Sequence, residues 1–315
     1  MEPKQPKNDV RLYSSLPQPI FLAGPTGVGK SALAVELARR IRGEIIGADA
    51  FQVYSGLSIL TAQPDQTLLE QVPHHLIGHI SAEEDYHAWR YRSEACEKIT
   101  DILQRGRTPI VVGGTGLYFR ALIQGLDPIP ASNLVLRSEL EQLSLEMLLE
   151  RLDKADPHAN KRVDIRNRRR VLRAVEICEL SGKPLESFRT KSRRVIATRA
   201  FVLVRAREEL YRNIVGRVHH MWERGVVREV GGMRGQIGRT ASQAIGLREI
   251  IAWLSGESNE VQCRGAICAV TYRCARRQLA WFKSWTTFTP LCLSQGNSMR
   301  AVVERIAAET KTFGT

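Results

Sequence analysis

Gly24-Pro25-Thr26-Gly27-Val28-Gly29-Lys30-Ser31 fits G-x-x-x-x-G-K-[ST], the spelling of a phosphate-holding loop. Its glycines let main-chain N–H groups converge on phosphate oxygens. A helix starting near Gly29 adds the positive end of its dipole. Lys30 brings a point charge, and the Ser31 hydroxyl a ligand for Mg2+. The loop says phosphate and leaves the chemistry open: phosphoryl transfer, hydrolysis, or grip on a diphosphate while something else leaves it.

A nucleotide hydrolase or kinase usually also holds Mg2+ with an Asp at the end of a later buried strand. The matching stretch here, "TPIVVGGTG", ends in glycines and Thr115. The carboxylate comes instead after the second strand, as Asp49 in "IIGADAFQVY". Ligands of open α/β sheets lie beyond the carboxyl ends of the strands. Asp49 and Thr115 are therefore expected to face the loop. For Asp49 alone, a turn or helix-cap role is the plain alternative.

The elements that must carry these residues are legible. "QPIFLAG" is an apolar strand, and "KSALAVELARRI" follows it with apolar residues at helical spacing. "GEIIGAD", "HHLIGHI" and "TPIVVGG" read as further strands. "DYHAWRYRSEACEKITDILQRG" reads as a helix capped by Asp85 and stopped at Gly106. Strands alternating with helices predict a parallel sheet with helices on both faces, an α/β class. After "LDPIPASN" the chain turns helical. Residues 161–200 hold 13 Lys and Arg against four Asp and Glu. "AFVLVRA" resumes strand character, so the helical block reads as an insertion. The expected organisation is a polar tail at 1–17, an α/β core at 18–126 and 199–315, and an inserted helical domain at 127–198. Helices are expected at 207–224, 226–234, 242–256 and 260–283, then a late strand in "TTFTPLCL" and a last helix.

The chain has 315 residues, 43% of them hydrophobic, and a formal net charge of +13. Such a positive excess suggests a polyanionic partner, a basic solvated surface being the alternative. No apolar run approaches the roughly 18–20 residues that span a bilayer, and the N-terminus lacks a signal-peptide h-region. The six cysteines form no C-x-x-C pair, which argues for reduced, packed thiols rather than zinc ligands. A cytoplasmic location is expected, with no membrane partner, and nothing demands more than a monomer.

These segments together resemble the tRNA dimethylallyltransferase (tRNA isopentenyltransferase) family. The resemblance rests on "GPTGVGKS", "ADAFQVYSGLSILTAQP", "PHHLI" and "VGGTGLYFRALIQGL". It continues in "VDIRNRRRVLRAVEICELSGKPL", "RVHHMWERGVVREV", "SQAIGLREI" and "RRQLAWFKSW", in the family's order over roughly residues 19 to 285. It implies a P-loop core with an inserted helical domain that clasps the anticodon stem-loop, and Mg2+. The implied reaction transfers a dimethylallyl group from dimethylallyl diphosphate to N6 of adenosine 37, in tRNAs reading codons that begin with U. The chain lacks the C-terminal zinc finger that eukaryotic members often carry, so a bacterial type is expected.

On that resemblance Asp49 is the general base, Thr115 lies near the bridging oxygen, and Arg217 contacts the diphosphate. Gly24 to Ser31 hold the diphosphate, with Ser31 on Mg2+, and His74 is a possible substrate contact. The tRNA side takes Asp49, Ala50, Phe51 and Gln52, with Thr115 and Arg137. It takes Arg169, Arg170, Val171, Leu172 and Arg173, and then Gln243, Ala244, Ile245, Gly246, Leu247 and Arg248. Arg273, Arg276 and Arg277 fall on one helical face and read as a phosphate-backbone track. Ala50, Leu60, Gln63, Gly78 and Leu247 depart from the family's usual Ser, Gly, Lys, acid and Tyr. A small-molecule P-loop kinase and a non-catalytic RNA-binding protein are the rivals. The missing strand-end acid and the basic insertion argue against the first, and the intact Lys30, Ser31 and Asp49 against the second.

Overall fold

The computed structural model describes residues 18–189, 199–294 and 298–311. The expected tail at 1–17 and the last residues of the expected helical block lie outside them. Six strands form one sheet: β1 (Ile20–Ala23), β2 (Gly43–Ala48), β3 (His74–His75), β4 (Thr108–Gly113), β5 (Arg199–Val204) and β6 (Thr289–Cys292). Their spatial order is β3-β2-β4-β1-β5-β6. Every pairing is parallel, with Ile20 of β1 opposite both Ile110 and Arg199. All six strands therefore end on one side.

Alternation along the strands builds two cores, one on each face. Ile20, Leu22, Ile45, Ile110, Val112, Phe201 and Leu203 enter one. Their neighbours Phe21, Ala23, Ile46, Val111, Ala200 and Val202 enter the other. Both faces must then be covered, as parallel sheets require. The helices are α1 (Lys30–Ile41), α2 (Gln66–Leu69), α3 (Ala88–Gln104), α4 (Gly116–Ile123), α5 (Leu134–Glu141), α6 (Leu145–Ala155), α7 (Arg168–Ser181), α8 (Arg207–Glu223), α9 (Val226–Gly232), α10 (Leu247–Leu254), α11 (Glu260–Lys283) and α12 (Met299–Lys311). Helices α1 and α12 cover the first core, through Leu33, Leu37, Val303 and Ile306. Helices α3 and α4 cover the second, where the fully buried Phe119 packs on Phe21, Phe282 and Phe288.

Two expected boundaries shift. The Nδ1 of His87, not Asp85, caps α3 by accepting from the Arg90 amide at 3.2 Å. Asp85 instead pairs with Arg239 and accepts from Thr240, pinning loop to loop. The helix expected from 242 begins only at Leu247, because Gly246 sits at φ 92° and interrupts it.

The chain divides into two compact units, Met1–Ile123 with Ile196–Thr315, and Gln124–Val195. The second is helical in its described residues. Leu140, Leu148, Leu152, Val171, Leu172 and Val175 make its own core. Its buried Glu176 accepts from Ser132, from the Asn133 amide at 3.0 Å, and from Arg173 at 2.7 Å.

Candidate active site

Gly27 and Gly29 adopt φ of 81° and 104°, a region that only glycine enters without strain. The loop they permit ends as α1 begins at Lys30, so the first-turn N–H groups of α1 face the loop. Lys30 Nζ donates to the Pro25 carbonyl at 2.9 Å across the loop. Desolvation draws its pKa down to about 8; Asp49 opposes that shift and Arg217 adds to it. Ser31 follows at the helix start, half-buried.

Asp49 comes directly after β2, and Thr115 just after β4. The paired ends of these strands bring the two together. The Thr115 amide donates to the Ala48 carbonyl at 3.2 Å, and Thr115 Oγ1 accepts from the Ala50 amide at 3.0 Å. Asp49 Oδ1 accepts from the Phe51 amide at 3.1 Å, which orients the carboxylate. Arg217, on α8, donates to Thr26 Oγ1 at 2.6 Å and to the Thr61 carbonyl at 3.4 Å. Desolvation lowers its pKa, while Asp49 pulls the other way.

Thr26, Asp49, Thr115 and Arg217 line one cavity of about 350 Å³. Its other walls include Leu60, Met221, Ile245 and Ile267, so donors to an anion share the space with apolar surface. Ala50 and Phe51 also line it, and Arg277 stands at its wall.

Other expected site residues lie elsewhere. His74 is absent from the cavity wall. It pairs in register with Ile45, four residues before Asp49, or about 13 Å along the strand. Its Nδ1 donates to the Val72 carbonyl at 2.9 Å, and desolvation lowers its pKa. Val171 and Leu172 belong to the core of the helical unit, and Ala244 and Leu247 are buried, so their side chains do not face an RNA. Arg173 is engaged by Glu176 and the Pro130 carbonyl, and Arg137 by Glu141 and Glu176. Both build the helical unit. Gln52 donates to the Thr61 and Ala62 carbonyls at 3.2 and 2.7 Å, which holds the loop that carries them. Arg169, Arg170, Arg248, Arg273 and Arg276 are exposed, as is Gln243, while Gly246 serves as the turn before α10.

Two residues escaped the sequence reading. Gln278 lies between the P-loop and the Thr115 turn, accepting from the Thr26 amide at 2.8 Å and donating to the Gly114 carbonyl at 3.1 Å. The signal for it was a stripe on α11: Ile267, Thr271, Cys274, Gln278 and Trp281 recur at helical spacing and all line the cavity. Glu229, on α9, accepts from the Ile59 and Leu60 amides, both at 2.8 Å, and from Ser58. It shapes the loop that carries Leu60 and Thr61.

The family described as IPP transferase matches residues 52–285, and that described as isopentenyl transferase matches residues 19–83. A tRNA dimethylallyltransferase of Akkermansia muciniphila is 38% identical over 290 residues, 92% of this chain and 98% of that protein. The chain belongs to the IPP transferase family. A tRNA dimethylallyltransferase 1 of Citrifermentans bemidjiense is 41% identical over 84% of this chain and 88% of its own. Among solved structures, the tRNA isopentenylpyrophosphate transferase of Bacillus halodurans superposes with a TM-score of 0.70. It is 31% identical and covers 94% of this chain and 97% of its own. A eukaryotic dimethylallyltransferase described as acting on tRNA reaches a TM-score of 0.76 at 28% identity, over 90% of this chain and 77% of its own. The sheet is thus the P-loop core of this family, and no described helix is long and apolar enough to cross a membrane.

Proposed function

We propose that the chain transfers a dimethylallyl group from dimethylallyl diphosphate to N6 of adenosine 37 in tRNAs reading codons that begin with U. The observation that carries the reading is the shared cavity. Arg217, Thr26, Asp49 and Thr115 line it together with apolar residues, so that Arg217 and Thr115 would stabilise the leaving diphosphate while Asp49 serves the nucleophile. Family membership supports the same reaction.

The chemistry follows from the groups present. Adenine N6 is a weak nucleophile, because its lone pair is delocalised into the ring. As N6 attacks C1 of the dimethylallyl group, the C1–O bond breaks and diphosphate leaves with the electron pair. The N6 proton becomes acidic as that attack proceeds, and the Asp49 carboxylate takes it without needing a raised pKa. Charge grows on the departing oxygens, and Lys30, Arg217, Thr115 and the loop amides are the donors that stabilise it. Reaching N6 requires the base to leave its stack, which suits a target in a single-stranded loop.

Among the described residues no group of three His, Cys, Asp or Glu could hold a metal. Mg2+ commonly takes a few protein oxygens, phosphate oxygens and waters. Ser31 would hold it, and bound Mg2+ would neutralise phosphate charge. The inserted residues 127–198 would clasp the anticodon stem-loop. The absence of an acid at the end of β4, which closes on Gly113, Gly114 and Thr115, disfavours the kinase reading.

The test supplies unmodified tRNA with either labelled dimethylallyl diphosphate or labelled ATP. Label in tRNA from the first donor is expected. Label in a small acceptor from the second, with the prenyl donor untouched, would overturn the reading.

A further inference from the structure

We infer that Gln278 is a positioning residue, setting the distance between the diphosphate-gripping loop and the turn that carries Thr115. This rests on the reaction proposed above. The carboxamide is bifunctional, and both of its ends are used. Its oxygen accepts from the Thr26 amide at 2.8 Å, and its nitrogen donates to the Gly114 carbonyl at 3.1 Å. Thr26 is also the P-loop residue whose hydroxyl Arg217 holds. Thr115 in turn holds the Ala50 amide, next to Asp49. One side chain therefore links the two halves of the reaction.

The glycines of the turn record how closely α11 docks there. A Cβ on Gly114 would come within 2.3 Å of the Gln278 nitrogen, and one on Gly116 within 2.3 Å of the Trp281 ring. Gln278 and Trp281 are one helical turn apart, so α11 straddles Thr115 with a residue against each flanking glycine. The two nearest relatives of glutamine fit less well. Asn is one methylene too short to span both partners, and an ionised Glu accepts at both oxygens but cannot donate to a carbonyl.

The consequence is kinetic. Each half keeps its own ligand contacts when Gln278 is lost, but their mutual placement slackens. Misplacement of about 1 Å costs on the order of 10²-fold in rate. The experiment measures single-turnover dimethylallyl transfer for wild type, Gln278→Ala, Gln278→Asn and Gln278→Glu. It also measures the affinity of each for inorganic pyrophosphate and for tRNA, and the melting temperature. The rate should fall by a factor between about 10 and 10² in all three variants, while tRNA affinity is kept and pyrophosphate affinity in the Ala and Asn variants stays near wild type. For Gln278→Glu, the rate relative to wild type should recover as pH falls from 8 to 5, because a protonated carboxyl regains a donor for Gly114. Rates near wild type would overturn the inference. So would rate, pyrophosphate affinity and melting temperature falling together with no recovery at low pH, since that marks a packing role only. If wild type itself transfers nothing, the proposed reaction fails and this inference falls with it.

Discussion

Among the site residues, Asp49 carries the clearest prediction. Asn keeps its size and its acceptor for the Phe51 amide but cannot take a proton. Asp49→Asn should therefore slow single-turnover transfer strongly while tRNA affinity stays close to wild type; an unchanged rate would refute the base assignment. Lys30 predicts a pH dependence. Its pKa is lowered to about 8, so the cation is present below that pH and lost above it. Affinity of the free enzyme for pyrophosphate should weaken above pH 8, by up to about tenfold per unit. Lys30→Arg should remove that break, because guanidinium stays charged; titration calorimetry between pH 7 and 9.5 reads both. Two departures from the family pattern meet in space. Gln63 donates to the Gln52 and Tyr54 carbonyls, and a Cβ on Gly78 would lie 3.1 Å from its Oε1. The two positions thus touch, and a neutral amide braces the loop there.

At the scale of elements, stability rests on faces that meet across the sheet. Phe119 is fully buried among three other phenylalanines. Phe119→Ala should cost roughly 3–5 kcal/mol in urea unfolding. Glu229→Ala leaves the Ile59 and Leu60 amides without their acceptor, a loss of about 1–3 kcal/mol, measurable the same way. These elements were legible where a short-range rule governs them. The apolar runs of β1, β2 and β4, the periodicity of α1 and α11, and the glycine loop all announce themselves within a few residues. Asp49 and Thr115 were legible because they follow strands whose ends must share one side of a parallel sheet. What escaped depends on distant partners. The Gln278–Thr26 bond spans 252 positions, and Glu229 reaches back 170 to Ile59. Nothing in the local spelling of either site names its counterpart. Val171 and Leu172 are core positions of α7 inside a basic string, and only the helical period separates them from its arginines.

For the whole molecule, the net charge of +13 frames how a polyanion is met. Arg276 is exposed on α11. Arg276→Ala should weaken tRNA binding and reduce the slope of log affinity against log salt by about 1; filter binding at several ionic strengths would read it, and an unaltered slope would exclude a phosphate contact there. Deleting residues 130–196, in a core that still folds, should abolish tRNA modification but spare pyrophosphate binding.

The strand order carries a consequence for biogenesis. β1 lies between β4 and β5, yet β5 is translated only after the whole helical unit. At ribosomal speeds of roughly 5–20 residues per second, one edge of the nascent β1 waits on the order of ten seconds or more for its neighbour. Throughout that interval the emerging half-sheet offers unpaired amides and carbonyls to any passing strand. A stalled or truncated translation product ending before residue 199 is therefore expected to be a substrate for chaperones and to aggregate when they are scarce.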